Sequence, residues 1–264
     1  VEALVSIVTP AFNAEKLIGR TIDSVIMQSY RNWEMIIIDD NSSDKTVEIV
    51  NQYIKKNSRI KLTSLKVNHG APAAPRNIGV KQAKGQWIAL LDADDIWHPN
   101  KLEYQMRVLQ ETEAQFCSTQ MYDFSEDTDI KFRSPDNVEY EVITFLKQLR
   151  RYRTPTSSVV LGKELLLDNP FNEDPRYKAR EDLECWLRIH ECIDYSIKIK
   201  FPFLYYRLVQ GQISGSKWTM LKRTLLVLGE YRLKSGRMLG WRKYLYLLTH
   251  IIYSINYRLI KKHL

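Results

Sequence analysis

Trp87-Ile88-Ala89-Leu90-Leu91-Asp92-Ala93-Asp94-Asp95 joins a short apolar run to three carboxylates within four residues. Gly85 opens the run and the acids close it, which predicts a buried strand over 87–91. Like charges so close repel, and no single pairing neutralises all three. Something positive is therefore expected beside them. Oxygen ligands suit a hard divalent cation, Mn²⁺ or Mg²⁺, which keeps positions for water or substrate phosphates. Alone, the same run also describes a solvated turn ahead of a helix beginning near Pro99. Its neighbours in the chain decide between the two.

Upstream, strand and helix alternate. Leu4 to Thr9 predicts a strand halted by Pro10, and Leu17, Ile18, Ile22, Val25 and Ile26 then recur at helical spacing. Trp33 to Ile38 is a second strand, ending in Asp39-Asp40. Asn41-Ser42-Ser43-Asp44 offers capping chemistry for a helix carrying Val47, Val50 and Ile54 on one side. Arg59 to Leu65 is a third strand, and Asn77 to Lys84 a helix before the fourth strand. Such alternation predicts a mainly parallel α/β sheet covered on both faces. Parallel strands would bring Pro10, Asp39, Asp40 and Asp92 to one sheet edge, where ligands of open α/β sheets bind. The chain has no G-x-G-x-x-G and no G-x-x-x-x-G-K-[ST], so its phosphates must be held by metal and side chains rather than by a glycine-rich loop.

The 264 residues are 44% hydrophobic and 27% charged, enough for one sizeable core. Cys117, Cys185 and Cys192 form no C-x-x-C pair; an odd number fits a reducing compartment rather than a disulfide framework. The N-terminus enters a strand directly, without a basic-then-apolar signal. The longest apolar-rich run, Tyr244 to Tyr257, is interrupted by Thr, His, Ser and Asn, short of the ~18–20 apolar residues of a bilayer span. The five histidines are scattered without metal-ligand spacing, and His190 is expected in the core.

Five motifs occur in order: Val5-Ser6-Ile7-Val8-Thr9-Pro10-Ala11-Phe12-Asn13, Ile38-Asp39-Asp40-Asn41-Ser42-Ser43-Asp44, Pro75-Arg76-Asn77-Ile78-Gly79, Leu91-Asp92-Ala93-Asp94-Asp95, and Glu181-Asp182 ahead of Trp186-Leu187-Arg188. As a set, over about residues 3–215, they closely resemble the family 2 glycosyltransferases, inverting enzymes of the GT-A nucleotide-sugar-binding fold. Bacterial enzymes that assemble O-antigen, capsule or teichuronic-type polysaccharides are the nearest in look.

The resemblance implies roles. Asp40 would accept from N3–H of uracil, with Pro10, Ala11 and Asn13 lining the nucleoside pocket, so a UDP-sugar is the implied donor. Asp39 is expected to do the local work of shaping the turn with Ser42 and Ser43. Arg76 would approach the nucleotide or its phosphates, where its bland alternative is a surface arginine. Asp92 would face the ribose and Asp94 would take Mn²⁺ or Mg²⁺ bridging the phosphates. Asp95 would orient the loop or cap the next helix, whose Leu102, Met106 and Leu109 form the buried stripe. Glu181 and Asp182 open a helix with Leu183, Trp186, Leu187 and His190 inward. Asp182 is the implied general base, with Glu181 as partner; the bland alternative is two acids complementing a helix dipole. Thr154 to Leu161 resembles a strand bordering the acceptor site. Tyr205-Tyr206-Arg207 through Ser214 resembles a loop closing over phosphate. There Gln210-Gly211-Gln212 stands where many relatives carry a histidine, leaving a third metal ligand open.

Charge changes character near Ser216. Residues 217–264 hold eleven Lys or Arg and one acid, Glu230, so the overall +8 divides into about −2 for 1–216 and +10 for the tail. Two segments follow: a catalytic domain over 1–216 and a basic amphipathic helical tail over 217–264. The tail would lie on an anionic membrane surface or pack as a helical pair on protein. No recognised motif supports nucleic acid as its partner. The expected function is metal-dependent, inverting transfer of a hexose from UDP to a glycan or lipid-linked oligosaccharide acceptor. The expected place is the cytoplasm, peripheral on the inner face of a bacterial plasma membrane. The rivals are a sugar nucleotidyltransferase, which should show a glycine- and lysine-rich loop near Pro10 to Gly19, and a non-catalytic membrane scaffold.

Overall fold

A computed structural model describes residues 2–125, 130, 132, 133, 135, 137–150, 154–208 and 217–261. Its first part alternates as expected: β1 (Val5–Ala11), α1 (Ile18–Ile26), β2 (Trp33–Asp39), α2 (Thr46–Ile54), β3 (Ile60–Ser64), α3 (Ala73–Gln82) and β4 (Trp87–Leu90). Then come β5 (Ile96–Trp97), α4 (Lys101–Thr112), β6 (Phe116–Phe124), β7 (Tyr140–Ile143), α5 (Phe145–Leu149), β8 (Val160–Gly162), α6 (Lys163–Asp168), α7 (Glu181–His190) and β9 (Ser196–Arg207). Two helices, α8 (Lys217–Glu230) and α9 (Arg242–Lys261), follow.

One sheet runs β3-β2-β1-β4-β8-β6-β9-β5, with β7 on β9. β1 to β4 are parallel to one another. β8 is antiparallel to both β4 and β6, while β6 and β9 are parallel. Parallel β1, β2 and β4 therefore finish on one edge, and Ala11, Asp39 and Asp92 arrive there together. Apolar side chains on the two faces form separate clusters. Ile7, Met35, Ile37 and Ala89 pack under α1, and Val8, Ile36, Ile38 and Leu90 pack under α3 and α7.

Three local expectations need correction. α3 starts at Ala73, not Asn77, so Pro75-Arg76-Asn77 lies within its first turns. Proline lacks only an N–H that the first turn leaves unbonded, so it opens this helix rather than preceding it. The 154–161 stretch is a 3-10 turn (Thr156–Ser158) before β8, not one strand. Tyr205, Tyr206 and Arg207 end β9 in pairing with β5 and β6 rather than starting a loop. The rest of that loop, Gln210-Gly211-Gln212 and Ser214 included, lies outside the described residues.

Gly79 shows why the Pro-Arg-Asn-Ile-Gly element needs its last residue. A Cβ there would sit 2.5 Å from Val8 Cγ1 and 3.3 Å from Ile38 Cγ1. α3 thus lies almost against β1 and β2, and that close approach carries Arg76 to the acidic edge.

Candidate active site

Hydrogen bonds from several elements shape the acidic loop after β4. Asp92 N–H donates to Ser157 Oγ (3.0 Å), and Trp97 Nε1–H to Ser157 O (2.7 Å). Thr21 Oγ1 on α1 lies 2.9 Å from both Ala93 O and Asp95 O. Asp95 is fully buried; its Oδ1 accepts from Arg207 N–H (3.0 Å), while Arg207 Nε–H donates to Asp94 O (3.0 Å). Asp95 therefore ties the loop to β9 and does not cap α4, whose N-cap is Asn100.

Arg76 joins the two acidic stations. Arg76 is 3% exposed, and its guanidinium donates from Nη2 to Asp92 Oδ1 (2.6 Å) and from Nη1 to Glu181 Oε1 (3.2 Å). Burial works against its charge, but Asp92 and Glu181, with Asp182 beyond them, raise its pKa above the ordinary value. It is not a surface arginine. Asn77, one residue on, holds the approach to α7: its amide donates to Phe171 O (2.9 Å) and Glu173 Oε1 (2.8 Å), and accepts from Phe171 N–H (2.9 Å).

Glu181 and Asp182 occupy the first turn of α7, which has no side-chain cap. The turn before it bends through Ala179 at φ 62°. Glu181 is buried; burial raises its carboxyl pKa, and Arg76 opposes that shift. Its Oε2 and Arg76 Nε are buried without a hydrogen-bond partner among the described residues. Asp182 is half-buried, with Oδ1 accepting from Leu183 N–H (2.7 Å). Trp186, Leu187 and His190 are buried as the spacing predicts. His190 is a core residue, with Nδ1 2.7 Å from Trp186 O and Nε2 2.7 Å from Ser196 Oγ.

The nucleoside-side residues gather at the ends of β1 and β2. Pro10 and Ala11 lie beside Ile38 and Asp39 in register, and Asp40 N–H donates to Ala11 O (2.8 Å). Asp39 Oδ2 accepts from Ser42 N–H (3.2 Å), the local role expected of it. Asn13, at φ 48°, braces the facing loop through Oδ1 to Ser43 N–H (2.9 Å) and its own N–H to Ser42 Oγ (2.9 Å). Asp40 is buried and engages His69: both carboxylate oxygens lie within 3.0 Å of His69 N, and Oδ1 is 2.7 Å from ring Nδ1. His69 did not stand out in the sequence, and Arg207 did so only within the stretch resembling a loop over phosphate, not as a partner of Asp94 or Asp95. Nothing in spacing marks a histidine 29 residues from Asp40, or an arginine 113 residues from Asp94, as a neighbour.

Two guanidiniums, Arg76 and Arg207, thus face five carboxyl groups: Asp92, Asp94, Asp95, Glu181 and Asp182. The positive charge foreseen beside the loop is in part supplied by the protein itself. It is insufficient: burial, then the charge of Asp92, raise the Asp94 carboxyl to about 6 against Arg207 and Arg76. A carboxyl so placed fits a cation that would restore its charge. Among the described residues no three His, Cys, Asp or Glu side chains form a metal-binding group. Asp94 is the residue that could hold a hard cation, whose other positions would then fall to phosphate oxygens and water, as is common for Mg²⁺.

The family model described as Glycosyl transferase family 2 matches residues 6–168. The chain belongs to glycosyltransferase family 2. Among its relatives in this family is the UDP-Glc:alpha-D-GlcNAc-diphosphoundecaprenol beta-1,3-glucosyltransferase WfgD of Escherichia coli, 37% identical over 98% of this chain and 95% of WfgD. Another is the putative teichuronic acid biosynthesis glycosyltransferase TuaG of Bacillus subtilis (strain 168), 33% identical over 86% and 88%. The S. aureus TarS 1–349 structure in complex with UDP-GlcNAc superposes with a TM-score of 0.70 at 21% identity. It covers 85% of this chain, which spans 65% of that one. The Pyrobaculum calidifontis mannosyltransferase PcManGT, in complex with GDP-Man and Mn²⁺, gives a TM-score of 0.65 at 16% identity over 94% and 70%. These neighbours show that this family 2 glycosyltransferase has the GT-A fold.

Proposed function

We propose that this enzyme transfers a hexose from a UDP-sugar, with inversion, to a hydroxyl of a lipid-linked glycan during assembly of a bacterial surface polysaccharide. One observation carries the reading: the loop of Asp92 to Asp95 and the first turn of α7 meet across Arg76 at the carboxyl edge of the sheet. The WfgD relative, named for UDP-Glc and a diphosphoundecaprenol acceptor, supports both the donor and the acceptor class. UDP-glucose is accordingly the first donor to test.

In this mechanism Pro10, Ala11, Asn13 and Asp40 line the uridine side, with Asp40 directed to the base edge. Asp92 and Arg76 serve the ribose and the diphosphate. Asp94 would hold Mn²⁺ or Mg²⁺, whose chemistry is to neutralise charge as the nucleoside diphosphate leaves. Asp182 accepts the acceptor hydroxyl proton as that oxygen bonds to the anomeric carbon and the bond from that carbon to phosphate oxygen breaks. The acceptor oxygen attacks from the face opposite the leaving group, so configuration inverts, as when a carboxylate activates water in inverting glycosidases. Glu181, buried and tied to Arg76, positions the pair; half-buried Asp182, outside any ion pair with Arg76, is the member able to reach a hydroxyl.

The test is a screen of nucleotide sugars for hydrolysis and thermal stabilisation with and without Mn²⁺. A UDP-sugar should stabilise the protein most when Mn²⁺ is present, and Asp94→Ala should remove that dependence. Equal stabilisation with and without the ion would defeat the role given to Asp94.

A further inference from the structure

α8 and α9 do not share one fate. Val227 and Leu228 of α8 are fully buried with Leu149, Tyr177 and Leu187, so α8 packs one face on the protein and leaves Trp218 at its start 75% exposed. α9 is apolar on two sides. Its inner side places Tyr246 and Leu247 against that cluster, and buried His250 Nε2 lies 3.1 Å from Leu149 O. Its outer side carries Tyr244 (58% exposed), Leu245 (50%), Leu248 (52%) and Ile252 (48%), continued by Trp241 (69%) ahead of the helix. At about 100° per residue these five positions span an arc of roughly 100°, one continuous stripe.

Charge identifies what covers the stripe. From Tyr231 to Leu264 the chain has eight Lys or Arg and no Asp or Glu. Arg232, Lys234, Arg237 and Arg242 are exposed at the hairpin leading into α9. A second copy of the chain would bring the same positive charge to the contact. An anionic bilayer brings the opposite charge, an apolar depth for leucine and isoleucine, and a headgroup layer for tryptophan and tyrosine. Among the described residues no helix is long and apolar enough to cross a membrane, so α9 would lie on the surface.

We infer that the outer face of α9, from Trp241 to Ile252, is the docking surface by which this transferase settles on an anionic lipid bilayer. The inference rests on the lipid-linked acceptor proposed above and gives it a location. It also assigns the basic tail's two expected fates to different parts: α8 packs on protein and α9 faces lipid.

The full chain should float with vesicles of mixed phosphatidylcholine and phosphatidylglycerol, and far less with phosphatidylcholine alone. Leu245→Glu with Leu248→Glu should cut the bound fraction about tenfold or more. Both side chains are exposed, so the unfolding temperature should hold. Arg237→Gln with Arg242→Gln should weaken flotation and flatten its salt dependence. Flotation by Leu245→Glu/Leu248→Glu equal to wild type would overturn the inference. So would a wild-type dimer that the same substitutions turn into monomer. Transfer to a short soluble acceptor, measured in parallel, fails only if the proposed reaction itself is wrong.

Discussion

Arg76 is the residue on which the site turns. Its two terminal nitrogens each serve a different carboxylate, Asp92 after β4 and Glu181 at the start of α7, which only a planar fork can do. Arg76→Met would leave Glu181 buried without its counter-charge and should cost about 3–5 kcal/mol of stability. Arg76→Met with Glu181→Leu should recover a large part of that loss, as read from urea unfolding. Asp182 is the opposite case: its hydrogen bond comes from Leu183 N–H, which an amide oxygen accepts as well as a carboxylate does. Asp182→Asn should keep the unfolding midpoint and the donor Kd, and lower turnover by about 10²–10⁴. A variant that loses donor affinity in proportion to turnover would instead make Asp182 a binding group.

Elements carry these residues, and the two ends of α7 show how. α8 reaches over the segment ahead of α7. Arg180 Nε–H donates to Thr224 Oγ1 (2.8 Å), Arg223 Nη1–H donates to Lys178 O (2.7 Å), and Arg176 Nη1 pairs with Glu230 Oε1 (2.8 Å). Arg180 is the N-cap of α7, so Thr224 holds the start of the helix two residues before Asp182, the proposed base. Thr224→Val should lower kcat by about tenfold with donor Kd unchanged, and Thr224→Ser should restore it. At the other end of α7, burial lowers the His190 pKa from 6.5 to about 4. The unfolded chain takes up this proton first as pH falls. His190 therefore contributes full stability above pH 6.5 and loses it progressively between 6.5 and 4, a change of ~3 kcal/mol. Urea midpoints measured at pH 7 and pH 4.5 should draw closer together in His190→Gln than in the parent.

At the scale of the whole molecule, the basic segment is continuous with the catalytic core. Val227, Leu228, Tyr231 and Leu239 share one buried cluster with Leu149, Tyr177 and Leu187. A chain ending at residue 216 should therefore expose the underside of α7, unfold at a lower temperature and bind apolar dyes. Equal thermal stability of 1–216 and the full chain would refute this. The charge step near Ser216 marks a change of surface, and the packing continues across it.

Parallel alternation, the gathering of Pro10, Asp40 and Asp92 at one edge, and the acids opening α7 were legible in the chain. Each depends on a local period or on strand polarity, and both are written in neighbouring residues. The antiparallel insertion of β8 between β4 and β6, the pairing of Arg76 with Glu181, and the contacts of His69 and Arg207 were not. These join residues 29 to 113 positions apart, and no local pattern encodes which distant side chain a buried charge will meet. Sequence alone thus determined the fold class and the acidic character of the site, because hydrophobic period and charge are properties of composition in order. Tertiary structure alone decided which acids are already neutralised and which face of the tail stays open, because burial and ion pairing exist only once distant segments pack.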